Sequence, residues 1–330
     1  MISVLYRFFV LAGLWAASLS CLAAGKPLTI AFVPQNTSVE FAQSLHAGAV
    51  KAQQELVAQG FIVKLLWKGP LRESDSAAQI SLMDNFSARR VDGLVIDPVD
   101  SGALVESVEF ATSAGVPVVV VNSAVQTEKI ASFIGTDQFR AGQKAGEYLG
   151  RLMNGAGNAL MLRGAAGSSS TGQREAGFVS AMTNQFPAIK LLANAQRSGG
   201  TLESAVTAAK QLTAEFGEKV NGVFTPNEQT TVAMLRALRE AQRAGGIVKL
   251  VGFDAAQEAV GALEKGDLQA LMVQDAVKLG YTAITTVVTA SQHGKVAPKI
   301  GSEFVLITKE LSVDPANKNL LHPAIADFLK

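Results

Sequence analysis

Residues 92–123 read "DGLVIDPVDSGALVESVEFATSAGVPVVVVNS" and contain one complete strand–helix–strand unit. The apolar run at 94–96 predicts a buried strand that ends at Asp97, and the segment after it has helical spacing. Gly115 suits the left-handed residue that closes a helix before the next strand. A second apolar run then ends at Asn122. Short runs rich in Val and Ile, joined by a helix, are typical of a parallel sheet with helices on both faces.

The same unit recurs along the chain, for example in "LTIAFVPQNTS" (28–38), "VNGVFTPNEQT" (220–230) and "VKLVGFDAAQEAV" (248–260). Four or five such units fall on each side of residue 130. A chain of 330 residues is longer than one core usually supports. The sequence therefore predicts an α/β protein with two similar, doubly wound parallel-sheet (Rossmann-like) lobes.

Composition restricts the classes of partner. The chain is 48% hydrophobic and 17% charged, with a formal net charge of +1. It is too apolar for a disordered protein, and its charge balance gives no reason to expect nucleic acid or an anionic membrane surface as partner. Three widely spaced His and one Cys give no metal-ligand spacing, so we expect no metal and no cofactor.

The first 24 residues have the pattern of an export signal. Arg7 precedes an uncharged apolar run that ends in small residues, which is typical of a secretory signal peptide and predicts a periplasmic protein. Cleavage there would remove Cys21, the single cysteine. An alternative makes Cys21 the lipid-carrying first residue of a lipoprotein, although Ser18-Leu19-Ser20 fit that signal poorly. Beyond Lys26 no apolar run is long enough to cross a bilayer.

Polar residues follow strand after strand in both halves of the chain. They are Asp97, Asn122, Thr136, Asp137, Asn227, Glu228 and Asp254. Taken singly, each is explained as a helix cap or turn residue. In open parallel sheets, however, ligands bind beyond the carboxyl ends of the strands. The repetition in both halves predicts one polar site between two domains.

No motif indicates catalysis. There is no G-x-G-x-x-G after a strand, no phosphate loop with its lysine and no G-x-S-x-G elbow. Paired carboxylates of the glycosidase kind can be far apart in a sequence, so an exported α/β enzyme stays open as an alternative. We expect a binding protein rather than an enzyme.

Six motifs, in order along the chain, give the sequence a family resemblance. They are "DGLVIDP" (92–98), "AGVPVV" (114–119), "IGTDQFRAG" (134–142), "REAGF" (174–178), "VFTPNE" (223–228) and "VGFD" (251–254). Over residues 28–294 the chain resembles the ribose/galactose-type periplasmic sugar-binding proteins, which are solute receptors of ABC importers. The resemblance implies a type I periplasmic binding fold, in which two lobes joined by a three-strand hinge close on a small ligand.

The resemblance also implies boundaries and a role. The first lobe is expected at 25–136 plus 275–303, and the second at 137–274 plus 304–330. A monomer would capture a small neutral polyol or sugar and deliver it to an ABC transporter permease. A receptor of the same fold that feeds a sensor kinase or chemoreceptor is the alternative. A lactose-repressor-type regulator shares the fold, but an export signal stands where its DNA-binding helices would be.

The expected ligand-binding residues, carried over position by position, are Phe41, Asp97, Asn122, Ser123, Thr136, Arg174, Asn227, Asp254 and Gln274. Further candidates are Trp67, Asp137, Glu228 and Phe253. A guanidinium fork and fixed carboxylates hold neighbouring hydroxyls through charge-assisted hydrogen bonds. The alternative role of Arg174 is an ion pair with Glu175 or Asp254.

The sequence departs from the family at its aromatic positions. Phe41 is present, but Ala42 and Thr201 stand where the family often has aromatic side chains that stack on a sugar ring. Two roles stay open for Trp67: it compensates for the missing aromatic residues, or it packs on the surface of its lobe. Charged candidates are mostly acidic, with Arg174 as the opposing cation, so a neutral or cationic ligand fits better than an anionic one.

Overall fold

A computed structural model describes residues 26–192 and 196–329. The predicted export signal, Cys21 included, lies outside the described residues. The strands are β1 (Leu28–Val33), β2 (Val63–Trp67), β3 (Gly93–Ile96), β4 (Val118–Val121), β5 (Ser132–Thr136), β6 (Gly157–Met161), β7 (Ile189–Leu191), β8 (Gly222–Phe224), β9 (Lys249–Phe253), β10 (Ala270–Gln274), β11 (Lys299–Ser302) and β12 (Phe304–Thr308).

Helices alternate with these strands through most of the chain. They are α1 (Glu40–Ala58), α2 (Ser76–Ala88), α3 (Val105–Ser113), α4 (Gln138–Leu152), α5 (Ser169–Gln185), α6 (Leu202–Phe216), α7 (Glu228–Glu240), α8 (Gln257–Lys265), α9 (Ala276–Ser291), α10 (Lys309–Ser312) and α11 (Pro315–Leu321). Single 3-10 turns lie at Gly217–Lys219 and Ile325–Asp327.

The strands form two six-stranded sheets, which confirms the prediction of two α/β lobes. The sheet of the first lobe has the order β11-β5-β4-β3-β1-β2, and that of the second has β12-β10-β9-β8-β6-β7. The two orders match position for position. Helices α1 and α9 pack together on the first lobe, and α4 and α5 pack together on the second. The chain therefore passes between the lobes three times, at 136–138, 274–276 and 302–304.

One strand runs against the predicted direction. All pairs are parallel except β12, which pairs antiparallel with β10. The reason is the direct passage from β11 to β12 through one residue. Strand β11 is parallel to β5 and runs toward the space between the lobes, so a strand that continues directly into the second lobe must run away from it.

Both faces of each sheet are buried, as β1 shows. Ile30 and Phe32 belong to one apolar cluster and Ala31 and Val33 to another, because successive side chains of a strand point to opposite faces. The four valines of β4 are all fully buried. Apolar strands leave polar chemistry only at the strand ends.

In each lobe, the residue that follows the fourth strand along the chain has the same backbone geometry. Asn122 follows β4 with φ of 60°, and Asp254 follows β9 with φ of 65°. Each donates its backbone N–H to the neighbouring fifth strand, at Ile134 and Met272 respectively. Asn and Asp tolerate this left-handed conformation better than most residues. The two lobes thus present equivalent polar residues at equivalent places.

Glycines allow each helix pair to approach closely. A Cβ on Gly142 of α4 would collide with the backbone carbonyl of Arg174 on α5, and one on Gly177 of α5 would collide with that of Phe139. In the first lobe, Gly48 and Gly280 have the same reciprocal relation to the facing helix. The absence of a side chain at Gly142 therefore allows the backbone that carries Arg174 to pack directly against α4.

We predict that Gly142→Ala destabilises the protein by about 1–3 kcal/mol, because the added methyl forces α4 and α5 apart. Urea unfolding measures the change. Gly172→Ala on α5 is the matched control, because that position is exposed and open space surrounds the new methyl. Replacing a helical glycine there is expected to stabilise by up to about 1 kcal/mol. Equal effects of the two substitutions would contradict the close-approach explanation.

Candidate functional site

A polar cavity with a free volume of about 30 Å³ lies between the lobes, at the carboxyl ends of the strands. Its wall combines residues that follow β1, β3 and β4 of the first lobe with residues that follow β8 and β9 of the second. The structure thus brings the strand-end residues of both lobes to one space.

Eight residues predicted from the sequence line this cavity. They are Phe41, Asp97, Asn122, Arg174, Asn227, Glu228, Asp254 and Gln274. Of the wall residues in the described part of the chain, only Phe41 is aromatic. The side chains that surround any bound molecule are therefore mainly amides, carboxylates and one guanidinium.

Three of the predicted residues lie behind the wall and support it. Ser123 donates its backbone N–H to Asp97 and its hydroxyl to Ser170 on the second lobe. Thr136 is buried at the first passage between the lobes. Phe253 is buried, with its ring under the guanidinium of Arg174.

Two further candidates face elsewhere. Asp137 is exposed, and its carboxylate accepts the backbone N–H of Arg140 as the cap of α4. Trp67 does not replace the missing aromatic residues. Its indole stacks on His46 at a centroid distance of 4.3 Å and packs on Phe32, because the last residue of β2 points toward helix α1 rather than toward the cavity.

Thr201, which stands at a position where the family often has an aromatic residue, is used as a helix cap. Its hydroxyl accepts the backbone N–H of Ser204, and the Ser204 hydroxyl accepts the Thr201 N–H in return. This reciprocal capping box starts α6. The residue therefore has a structural role in the second lobe.

Arg174 is the central cation of the site. Its Nε donates to Gln138 Oε1 at 2.7 Å, its Nη1 donates to the Pro226 carbonyl at 2.8 Å, and Asp254 Oδ2 lies 3.9 Å from Nη1. The guanidinium lies 3.7 Å from the centroid of the Phe253 ring. Nη2 is buried and has no hydrogen-bond partner among the described residues. The structure therefore holds the guanidinium firmly and leaves one donor unused.

Asp97 is almost completely buried beside Asn122. Its carboxylate accepts hydrogen bonds from Asn122 Nδ2 at 3.0 Å and from the Ser123 N–H at 3.2 Å. Burial raises the pKa of Asp97 to about 8. Burial also raises the pKa of Asp254, which Arg174 and a hydrogen bond from Gln274 oppose.

The sequence analysis missed several polar residues of the wall or its support, among them Glu73, Asn36 and Gln138. Glu73 accepts hydrogen bonds at 3.1 Å from Asn36 and from Asn227 of the other lobe, and burial raises its pKa to about 7. It lies six residues beyond the end of β2, so it was not among the polar residues that directly follow a strand. Gln138 follows Asp137 directly and would have been found by extending the polar cluster one residue.

Two carboxylates join the lobes through helix N-termini. Glu228 at the start of α7 accepts the backbone N–H groups of Glu40 and Phe41, at 3.0 and 2.8 Å, at the start of α1. Glu40 accepts the N–H of Gln257, the first residue of α8, at 3.0 Å. Carboxylates are favourable at the positive end of a helix. Burial nevertheless raises the pKa of Glu228 to about 8.

Metal and membrane features were sought in the same residues. Within 26–192 and 196–329, no group of three or more His, Cys, Asp or Glu is arranged to hold a metal ion. No helix in those ranges has the length and apolar character needed to cross a membrane.

Comparisons with known proteins give a consistent result. Residues 30–295 match the family model described as a periplasmic binding protein domain. A xylitol-binding protein of Mycolicibacterium smegmatis is 28% identical over 68% of this chain and 63% of its own length. A D-ribose/D-allose-binding protein of Pseudomonas aeruginosa is 30% identical over 78% of this chain and 80% of its own.

A similar solved structure is a carbohydrate transporter solute-binding protein of Agrobacterium radiobacter in complex with D-arabinose. It superposes with a TM-score of 0.84 at 27% identity, and the match covers 90% of this chain and 99% of that one.

We predict that Gln138→Met lowers the free energy of unfolding by about 1–3 kcal/mol, because it leaves the buried Nε of Arg174 without an acceptor. Urea unfolding of the ligand-free protein measures this. The same substitution at Gln143, five residues along α4, is the control, because the Gln143 side chain accepts a hydrogen bond from the exposed Arg140. A similar loss in both variants would show that the Arg174 hydrogen bond is not the cause.

Proposed function

Since this chain belongs to the periplasmic binding protein family, we propose that it captures a small polyhydroxylated ligand in the cavity and delivers it to an ABC transporter permease. The observation that carries the proposal is Nη2 of Arg174, a buried charged donor that has no hydrogen-bond partner among the described residues and belongs to a residue of the cavity wall. A buried donor without a partner is costly. A ligand oxygen would satisfy it.

The mixture of donors and acceptors suits hydroxyl groups. A hydroxyl both donates and accepts, and the wall offers guanidinium donors, carboxylate acceptors and amides that do both. Asn122, Asn227 and Gln274 are such amides. The reported ligand of the solved relative, D-arabinose, and the names of the curated relatives support a sugar or sugar-like polyol. Phe41 would contact the apolar face of the molecule.

Closure of two lobes would be the mechanism, with no chemical reaction. We assign the lobes to 25–136 plus 275–303 and to 137–274 plus 304–330, so the three passages between the sheets form the hinge. The ligand favours the closed state because only that state gives it contacts from both lobes. Residues 1–24 would direct export to the periplasm.

We predict that Arg174→Ala weakens binding at least tenfold, since a ligand oxygen loses its charged partner. A thermal-shift panel of D-arabinose, D-ribose, D-allose and xylitol identifies a ligand, and calorimetry then compares affinities. Arg236→Ala is the control, because Arg236 pairs with Glu258 on the surface of the same lobe. Unchanged affinity in a folded Arg174→Ala protein would remove Arg174 from the site, and a flat panel would count against a polyol ligand.

We also predict that Glu40→Ala weakens binding of any ligand by about fivefold, because the closed state loses one charge-assisted contact between the lobes, of about 1 kcal/mol. The melting temperature without ligand should change little. Glu258→Ala removes the same side chain outside the cleft and should leave affinity unchanged. Equal affinities of the two variants would show that the Glu40 contact does not contribute to closure.

A further inference from the structure

Carboxylates outnumber cations on the cavity wall. Glu73, Asp97, Glu228 and Asp254 line it together with Arg174. Only Asp254 is within ion-pair distance of the guanidinium, at 3.9 Å. The ion pairs found in 26–192 and 196–329 include no partner for the other three carboxylates.

Two of the four carboxylates have a compensating charge. Arg174 offsets Asp254, and the N-terminus of α1 offsets Glu228 through two backbone N–H groups. Glu73 and Asp97 have only neutral partners: amides for Glu73, and an amide and one backbone N–H for Asp97. With all four carboxylates ionised, the wall would hold about two negative charges that have no ion-pair partner among the described residues.

A buried charge without a counter-charge is strongly unfavourable. The negative charge of such a cavity can be neutralised by protonation of the carboxylates or by a cation that enters with the ligand. A proton only removes the charge, whereas an ammonium group also donates three hydrogen bonds to carboxylate oxygens. Asp97 and Glu73 belong to the same cavity wall as the free donor of Arg174, so one molecule could engage both.

We propose that the ligand is an amine-bearing polyol, whose protonated amino group lies against Asp97 and Glu73 while a hydroxyl oxygen accepts from Nη2 of Arg174. This rests on the function proposed above and narrows it to one chemical class. A neutral sugar would leave the negative charge to be removed by protonation of the carboxylates. A phosphorylated or carboxylated sugar would add to it.

The pH dependence of binding distinguishes a neutral from a charged ligand. Burial raises the pKa of Glu73 to about 7 and that of Asp97 to about 8. The charge of Asp254 adds to the shift of Glu73 and the charge of Glu73 adds to that of Asp97, while Arg174 opposes both. A neutral ligand therefore requires proton uptake on closure, so its affinity falls as pH rises from 6 to 9. An ammonium group keeps the carboxylates ionised, so its affinity holds over that range until the amine itself deprotonates.

The test uses matched pairs on the purified protein. Calorimetry at pH 7 compares D-glucosamine with D-glucose, D-galactosamine with D-galactose, and an inosamine with myo-inositol, with N-acetyl-D-glucosamine as an uncharged derivative. We expect at least one amine to bind tenfold or more tightly than its neutral parent. Glu73→Gln and Asp97→Asn, each close in shape to the native residue, should reduce that preference at least fivefold, and Glu258→Gln should not.

The outcomes separate the two proposals. Neutral parents that bind as tightly as their amines, with affinity falling toward pH 9, would overturn the amine inference and leave the polyol function in place. A preference for amines that survives both substitutions would overturn the assignment to Glu73 and Asp97. If no polyol in these sets or in the earlier panel binds, the proposed function fails and the inference fails with it.

Discussion

The buried guanidinium of Arg174 is the interaction on which the geometry of the site depends. A charge removed from water must find partners, and here they come from four places in the second lobe: Gln138 on α4, the Pro226 carbonyl before α7, the Phe253 ring on β9, and Asp254. These contacts fix the helix that carries Arg174 relative to the sheet and to the first passage between the lobes. The lack of a side chain at Gly142 of α4 also allows the helix that carries Arg174, α5, to pack closely against α4.

The matched order of the two sheets explains why one site forms rather than two. Each sheet directs its strand ends toward the other lobe, so Asn122 and Asp254, at equivalent positions, face a shared space. Because the chain leaves each lobe at the cavity, an element that enters the other lobe starts at the cavity and runs away from it, as α4, α9 and β12 do. Helices that begin at the cleft present their N-termini there, which Glu40 and Glu228 cap from the opposite lobe.

The position of a residue at the cavity could be predicted where it directly follows a strand, but not where a longer loop carries it. Asp97, Asn122 and Asp254 end apolar runs, so their place at the cavity could be predicted from the buried faces of the strands. Glu73 could not, because the loop that carries it is held in part by a hydrogen bond from its N–H to Gly200 of the other lobe. Trp67 ends a strand too, but alternation along β2 points it at α1.

The two signs of charge in the cavity have different consequences for selectivity. The guanidinium of Arg174 stays charged at any pH a cell provides, so it demands an acceptor from every ligand. The carboxylates can be neutralised in two ways, and the choice between them depends on the ligand, because protonation near pH 7 to 8 competes with an incoming cation. In the proposed function, such a site would recognise hydroxyl geometry through its amides and ligand charge through Asp97 and Glu73. The site would then distinguish ligands by charge without a change in the shape of the cavity. The two lobes would close in the same way on each ligand.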